Sequence, residues 1–466
     1  MSDATDTRSD SGTRGASTAG RHFDVVVVGA RCAGAALGRR LADHGLSVAV
    51  LEAARLGADH PSSTHLIQPA GMDELDDLGL GESVREAAPA LSTIRLSFDS
   101  HEARIPYARG RAAHCLRRAL LDPLLQEQAT VAGVELRERT RVTGLSLGSE
   151  GRVEGVLTEG PDGRAERIGA DLVVGADGRN STVAKLVGAE RYLAYEGPRS
   201  VYWAYWKRPE ELSPHELYNT FAGTSARIVF PTDSDELLIG TVPPLEQAAG
   251  WRSDVTASYL ADISCYPAVA PHLEGRRPVG RVRGVYRPSY FFRRSAGPGW
   301  ALIGDAGHHK EFVVGLGITD ALRDARTLAA AITEKAPGAL ERWWRERDIT
   351  RIEMFYWSQE MGNAEPVTPL QRLVADRLAT SPDLQARFGA ILDGELSPDN
   401  FLTPLRAFGM LFRATLGGHP SAWDSLPEAV RRRNLARREL RRRRLALREA
   451  EPRATKSSSR LIEPST

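Results

Sequence analysis

Cysteine is scarce in this chain of 466 residues: Cys32, Cys115 and Cys265 stand far apart. Their spacing matches no zinc motif and offers no disulfide framework, so a reducing, cytoplasmic setting without a metal site is expected. Lysine is nearly missing as well, confined to Lys185, Lys207, Lys310, Lys335 and Lys456, and arginine carries almost all of the positive charge. Opposite charges balance to a formal net of +1, which gives no global pull toward nucleic acid or membrane. No apolar run is long enough for a membrane span. Residues 1–22 are rich in Ser, Thr, Asp and Gly and carry no apolar core of the signal-peptide kind, so a disordered tail is expected. No Ser-His-Asp or metal-ligand spacing stands out.

What is there is a soluble globular composition, 42% hydrophobic and 26% charged, in a chain too long for a single core. Phe23 to Val28 is a β-branched run that reads as a strand buried on both faces. A helix is expected from Ala33 to His44, stopped by Gly45, and a second strand from Ser47 to Leu51. Leu116 to Val131 has helical spacing, with Leu116, Leu120, Leu121, Leu124 and Leu125 on one broad face. The stretch from Val134 to Ile168 alternates as antiparallel ribbon. Asp171 to Val174 returns as a core strand, and a sheet-rich segment follows from about Ser200 to Tyr290. Trp300 to Ile303 is again a core strand, a helix follows from Gly317 to Thr333, and everything after Pro337 reads helical. The arginine-rich end, Arg431 to Arg448, lacks a leucine stripe and is interrupted by glutamates, so a solvated helix is expected there and not a nucleic-acid tail.

The first strand runs into VVVVGARCAG. Gly29, Ala30 and Gly34 suit a turn where backbone N–H groups and a helix N-terminus meet a pyrophosphate, although Arg31 replaces the middle glycine. Glu52 closes the second strand, at the distance where an acid bonds ribose hydroxyls. Two later turns reinforce the reading. In DLVVGADGRNSTVAKLVG a core strand delivers Asp177-Gly178 to a short helix near Ser181. In GWALIGDAGHHKEFVVGLGITDALRDA another strand ends at Gly304-Asp305 and leads through Gly315 and Gly317 into a new helix. Three such turns in this order point to one dinucleotide site.

In this order of motifs, from about Phe23 to Ala329, the chain resembles the FAD-dependent monooxygenases of the para-hydroxybenzoate hydroxylase type and their relatives, the geranylgeranyl reductases. The resemblance implies an α/β fold: a Rossmann-like FAD-binding domain over 23–190 and 291–335 with an inserted substrate-binding sheet over 191–290; beyond it the residues themselves read as a helical region over 336–430 and a basic end over 431–466. It also implies roles. Gly29, Gly34 and Glu52 would hold the ADP half of FAD, and Arg118, with Asp122 after it, would face the flavin. Asp305 would bond the ribityl chain, Gly315 to Ile318 would lie under the pyrimidine end, and His65 would neighbour the ring. Arg31 would turn outward or lie over a phosphate as a cation.

The implied activity is hydroxylation of a medium-sized aromatic or polycyclic metabolite of specialised biosynthesis through a flavin C4a-hydroperoxide. Molecular oxygen would be the co-substrate and NAD(P)H the reductant, acting directly or through a separate flavin reductase, in a monomer or homodimer. His308 and His309 are the candidates for proton transfer, and His65 is a third catalytic candidate. The strand from Val201 to Trp206 puts Tyr202 with Trp206 on one face and Trp203 with Tyr205 on the other, and one face would wall the substrate site. Ala184, Phe312 and Leu316 depart from the family pattern. Phe230-Pro231, followed by Gly240, fits the spacing of the geranylgeranyl reductases, so reduction of an isoprenoid or polyketide double bond is the alternative activity. An FAD-binding protein without turnover is a third. The tryptophan signature of the flavin-dependent halogenases is absent.

Overall fold

The computed structural model of the chain describes residues 21–58, 63–416 and 420–450. The expectations for 1–20 and for 451–466 fall outside these residues.

The strand His22–Val28 is central in an open sheet. Val48–Leu51 and Ala165–Gly175 flank it in parallel, with Glu135–Arg137 and Trp300–Leu302 beyond them. Valine-rich strands without polar alternation need cover on both faces. One face receives the helices Cys32–Asp43, Arg118–Val131 and Gly317–Glu334, whose alanines and leucines form one core with Val25 and Val27. The other receives the ribbon Arg141–Leu147 with Val153–Glu159, and the short helix Thr182–Leu186.

Two local readings shift. The helix begins at Arg118 and buries Leu121 and Leu125, whereas Leu120 is 43% exposed, so its apolar face is narrower than the leucine spacing suggests. Ala165–Gly175 is one long strand: its first half pairs antiparallel with Val153–Glu159, and its second half runs parallel to His22–Val28. Ribbon and core strand are therefore continuous.

A second sheet has seven strands in the order Val279–Val285, Val201–Lys207, Glu236–Val242, Ser225–Thr232, Glu216–Ala222, Thr93–Phe98 and His101–Pro106. The last two come from far upstream of the inserted segment. Thr93–Phe98 docks parallel to Glu216–Ala222 and contributes Ile94, Leu96 and Phe98 to a core shared with Trp203 and Phe230. Arg191–Glu196, Ser289–Arg293 and His308–His309 form a further, small antiparallel sheet.

Helices Ala339–Met361, Pro369–Thr380, Pro382–Leu392, Pro404–Leu416 and Leu426–Ala450 complete the chain. The last is solvated on its outer side only. Its inner side buries Ala436 and Leu440, the latter with Ile352 and Phe355 of Ala339–Met361, while Arg443 lies over the Tyr192 ring at 4.4 Å and pairs with Asp348 at 3.0 Å.

Candidate active site

A cleft of about 480 Å³ begins at the C-terminal ends of the parallel strands and extends to the seven-stranded sheet. Its first wall is the turn after His22–Val28. Gly29 has φ +102°, and a Cβ there would come within 2.6 Å of the Ala176 carbonyl oxygen. A Cβ at Gly34 would collide with the carbonyl of Gly29 itself. The two glycines therefore let strand, turn and helix close on one another while the N-terminal turn of Cys32–Asp43 stays open to an anion. Glu52 is buried and fixed by two backbone donors, Ala30 N and Ala54 N, each at 3.0 Å. The Gln126 side chain secures the carbonyl of Ala30 at 2.9 Å.

Arg31 occupies the N-cap with extended backbone (φ −95°, ψ −166°). Its side chain lines the cleft, and its Nη1 is buried with no hydrogen-bond partner among the described residues. A buried guanidinium nitrogen left open beside a helix N-terminus fits a bound phosphate.

Asp177 repeats this pattern at the second strand. One carboxylate oxygen accepts from Thr182 N at 2.6 Å and Val183 N at 3.2 Å; the other is buried without a partner. Burial raises its carboxyl above the usual range, with the Ser181 hydroxyl and the backbone N–H donors opposing. At the third strand Gly304 turns with φ +56° and donates to Asp324 at 3.1 Å, which leaves Asp305 half exposed in the cleft. Gly315, left-handed at φ +63°, precedes Gly317 and Ile318, which open the helix Gly317–Glu334 onto the same cleft. Orphaned donor and acceptor atoms, glycine-lined approaches and two helix starts together fit FAD.

Beyond the nucleotide end, Arg118 lines the cleft with its guanidinium held from behind by Asp122 at 2.8 and 3.0 Å. The backbone N–H of Arg118 donates to His65 Nδ1 at 3.3 Å, and His65 Nε2 bonds the Tyr205 hydroxyl. The four aromatics of Val201–Lys207 divide as the alternation requires. Trp203 lines the cleft and Tyr205 reaches His65. Tyr202 and Trp206 face away, against Trp251 at 5.1 Å and onto the Tyr259 hydroxyl at 2.9 Å, so they belong to a separate core and not to a substrate wall.

The two candidate histidines also separate. His309 is anchored by Nδ1 to the Ser289 carbonyl at 2.8 Å, and its Nε2 faces Asp305 at 3.8 Å. His308 is buried between Asp320 at 3.5 Å and Asp324 at 3.6 Å, and stacks on Phe292. Lys310 pairs with the same Asp320, as does Arg351 at 3.3 Å. Burial alone would raise the Asp320 carboxyl; the Lys310 and Arg351 cations more than offset this and hold it well below the usual carboxylate range. Sequence reading missed this cluster, although the acids of GITDALRDA stand four apart on one helical face. It also missed Glu311, which lines the cleft beside Phe312. Burial pushes its carboxyl up to about 7, with the Tyr290 hydroxyl and Arg199 opposing. Of the departures, Phe312 lines the cleft, whereas Leu316 packs with Val314, Met354 and Ile391 and leaves it clear.

A Rossmann-like layer with three strand-end turns converging on one dinucleotide cleft, joined to a second sheet, defines a flavin-dependent oxidoreductase. Residues 22–347 match the family model described as FAD binding domain, and the chain belongs to that family. The 6-methylpretetramide 4-monooxygenase of Streptomyces rimosus is 29% identical over 328 residues, covering 66% of this chain and 74% of its own. The ubiquinone hydroxylase of Rhodospirillum rubrum is 28% identical over 328 residues, covering 66% and 71%. Among solved structures, a flavin-dependent brominase superposes with a TM-score of 0.67 over 85% of this chain and 100% of its own, at 20% identity, a likeness of fold alone.

Proposed function

We propose that this FAD-dependent enzyme is a monooxygenase that hydroxylates a medium-sized aromatic or polycyclic metabolite in specialised biosynthesis. The observation that carries this reading is the continuity of the cleft. It begins at the phosphate turn and ends on an apolar wall of Val201, Trp203, Val285 and Phe312, where a planar, largely apolar substrate finds dispersion contact and little water.

When bound and reduced, FAD supplies the electrons that activate dioxygen. The chain does the rest. Gly29 and Gly34 keep the pyrophosphate approach open, Arg31 neutralises a phosphate, and Glu52 bonds a ribose hydroxyl. Asp177 offers its unpartnered oxygen to the cofactor, and Asp305 takes the ribityl hydroxyls. Gly304 shapes that turn, and Gly315, Gly317 and Ile318 support the ring. Arg118, fixed by Asp122, presents its positive edge to the same cleft. Trp203 and Phe312 exclude water from the reacting end. His309 is the proton carrier at this end, because its Nε2 faces the half-exposed Asp305 in the cleft. His308 serves a positioning role, because it lies buried between two carboxylates. NAD(P)H is the reductant, docking transiently or acting through a separate flavin reductase.

The test is incubation of the FAD-loaded protein with NADPH, a flavin reductase, phenolic and polycyclic substrates, and isotopically labelled dioxygen. A product carrying one labelled oxygen atom supports the reading. A product gaining two hydrogen atoms and no oxygen replaces it with double-bond reduction, the activity whose Phe230-Pro231 to Gly240 spacing this sheet also carries.

A further inference from the structure

Helix Pro404–Leu416 carries apolar side chains on two faces. Met410, Leu411 and Ala414 are buried against the body of the protein. Leu405, Phe408, Phe412 and Leu416, three or four residues apart, form a second stripe that is 82%, 57%, 51% and 75% exposed. Phe408 stacks on Phe412 at 6.3 Å and meets Trp423 edge-on at 5.7 Å, so the stripe is an organised surface. Contiguous apolar patches of this kind mark sites that something covers.

The helix that follows, Leu426–Ala450, carries ten arginines against three glutamates in a chain whose net charge is only +1. Part of that charge is neutralised: Arg433 and Arg437 pair with Asp399, Arg443 with Asp348, and Arg431 and Arg432 with Glu428. Arg438, Arg441 and Arg444 are exposed and pair with no acid among the described residues; so is Arg413, which lies beside the apolar stripe. Exposed Val430 and Leu445 lie among these cations. Between these two helices and Ala339–Met361 opens a mainly apolar groove of about 230 Å³, lined by Ala407, Leu411 and Val430, edged by Glu353, Glu360 and Asp399, and reaching inward to Leu96 and Phe98 of the seven-stranded sheet.

We propose that these two helices dock the protein on an anionic lipid surface. The stripe of Pro404–Leu416 enters the headgroup region, the unpaired arginines meet lipid phosphates, and the groove accepts an acyl chain. Large apolar side chains flanked by arginine are the pairing that an interfacial helix uses. Among the described residues no helix is long and apolar enough to cross a membrane, so the association is peripheral. A second copy is the poorer occupant, because a twofold contact through the stripe would bring two arginine-rich helices together. Nucleic acid would satisfy the arginines and leave the stripe in water. The proposal stands apart from the flavin chemistry and does not rest on it.

The experiment is sedimentation of the full FAD-loaded chain with vesicles of phosphatidylglycerol and phosphatidylcholine, or of phosphatidylcholine alone, at low and high salt. Binding to the anionic vesicles is expected, weakened roughly tenfold or more by Phe408→Asp with Phe412→Asp, by Arg438→Glu with Arg441→Glu, and by high salt. Flavin content of each variant reports its folding, and the exposed, unpaired arginines keep the test alive if the phenylalanine variant fails to fold. The proposal is overturned if wild type ignores anionic vesicles, or if the phenylalanine variant folds and binds them unchanged. It is equally overturned if wild type is a dimer that this variant dissociates, or if duplex DNA displaces the protein from the vesicles.

Discussion

Replacing Glu311 by glutamine removes a buried ionisable group with almost no change of shape. The side chain is 4% exposed and packs against Gly362, where a Cβ would lie 2.6 Å from its Cδ. Burial raises its pKa from 4.5 to about 7, and the Tyr290 hydroxyl and Arg199 oppose this only in part. Arg199, itself pushed down to about 10 by burial, stays charged over the same window. Below pH 4.5 folded and unfolded chains both hold the Glu311 proton, and its ionisation costs nothing. Between 4.5 and about 7 the folded state holds more proton than the unfolded state, so stability falls as pH rises. Above about 7 the whole cost is present, about 3 kcal/mol for this shift at 1.36 kcal/mol per unit. Glutamine does not titrate. Glu311→Gln should therefore gain on wild type steadily from about pH 5 to pH 8, by about 3 kcal/mol in total. Guanidinium denaturation of both proteins at matched flavin content, across that range, measures the difference. A difference that stays constant with pH, or shrinks as pH rises, would refute the reasoning.

Gly34→Ala drives a methyl into the carbonyl of Gly29. It should cost roughly 1–3 kcal/mol of stability and most of the bound flavin, and full flavin occupancy in the purified variant would contradict the close packing of that turn. Asp320→Asn leaves Lys310 and Arg351 facing a neutral group inside the protein. A loss of about 3–5 kcal/mol in denaturation is expected, and an unchanged midpoint would mean that the buried cluster is not ionised as described.

The sequence made the nucleotide half legible because its signals are local. A strand, a glycine turn and an acid at the next strand end lie within about thirty residues, and two further turns repeat the theme. Arg31 looked like an obstacle and proves to be an N-cap residue whose side chain joins the cleft. The second sheet was legible only as alternation. Which face of Val201–Lys207 meets the cleft depends on Trp251 and Tyr259, whose helices cover the other side. The parallel pairing of Thr93–Phe98 with Glu216–Ala222 joins segments more than a hundred residues apart, and no local pattern announces it. The ion cluster of His308, Lys310, Asp320 and Arg351 likewise exists only after three elements pack together.

The central claim is that three strand-end turns hold one FAD, with Asp305 on its ribityl chain. The most direct measurement is the visible absorption spectrum of purified wild type beside that of Asp305→Ala. Asp305 is half exposed, so alanine there should leave the fold intact. The account predicts a yellow wild-type protein and a colourless variant with an unchanged circular dichroism spectrum. A wild type that cannot be reconstituted with FAD, or a variant that keeps full flavin occupancy, would contradict it.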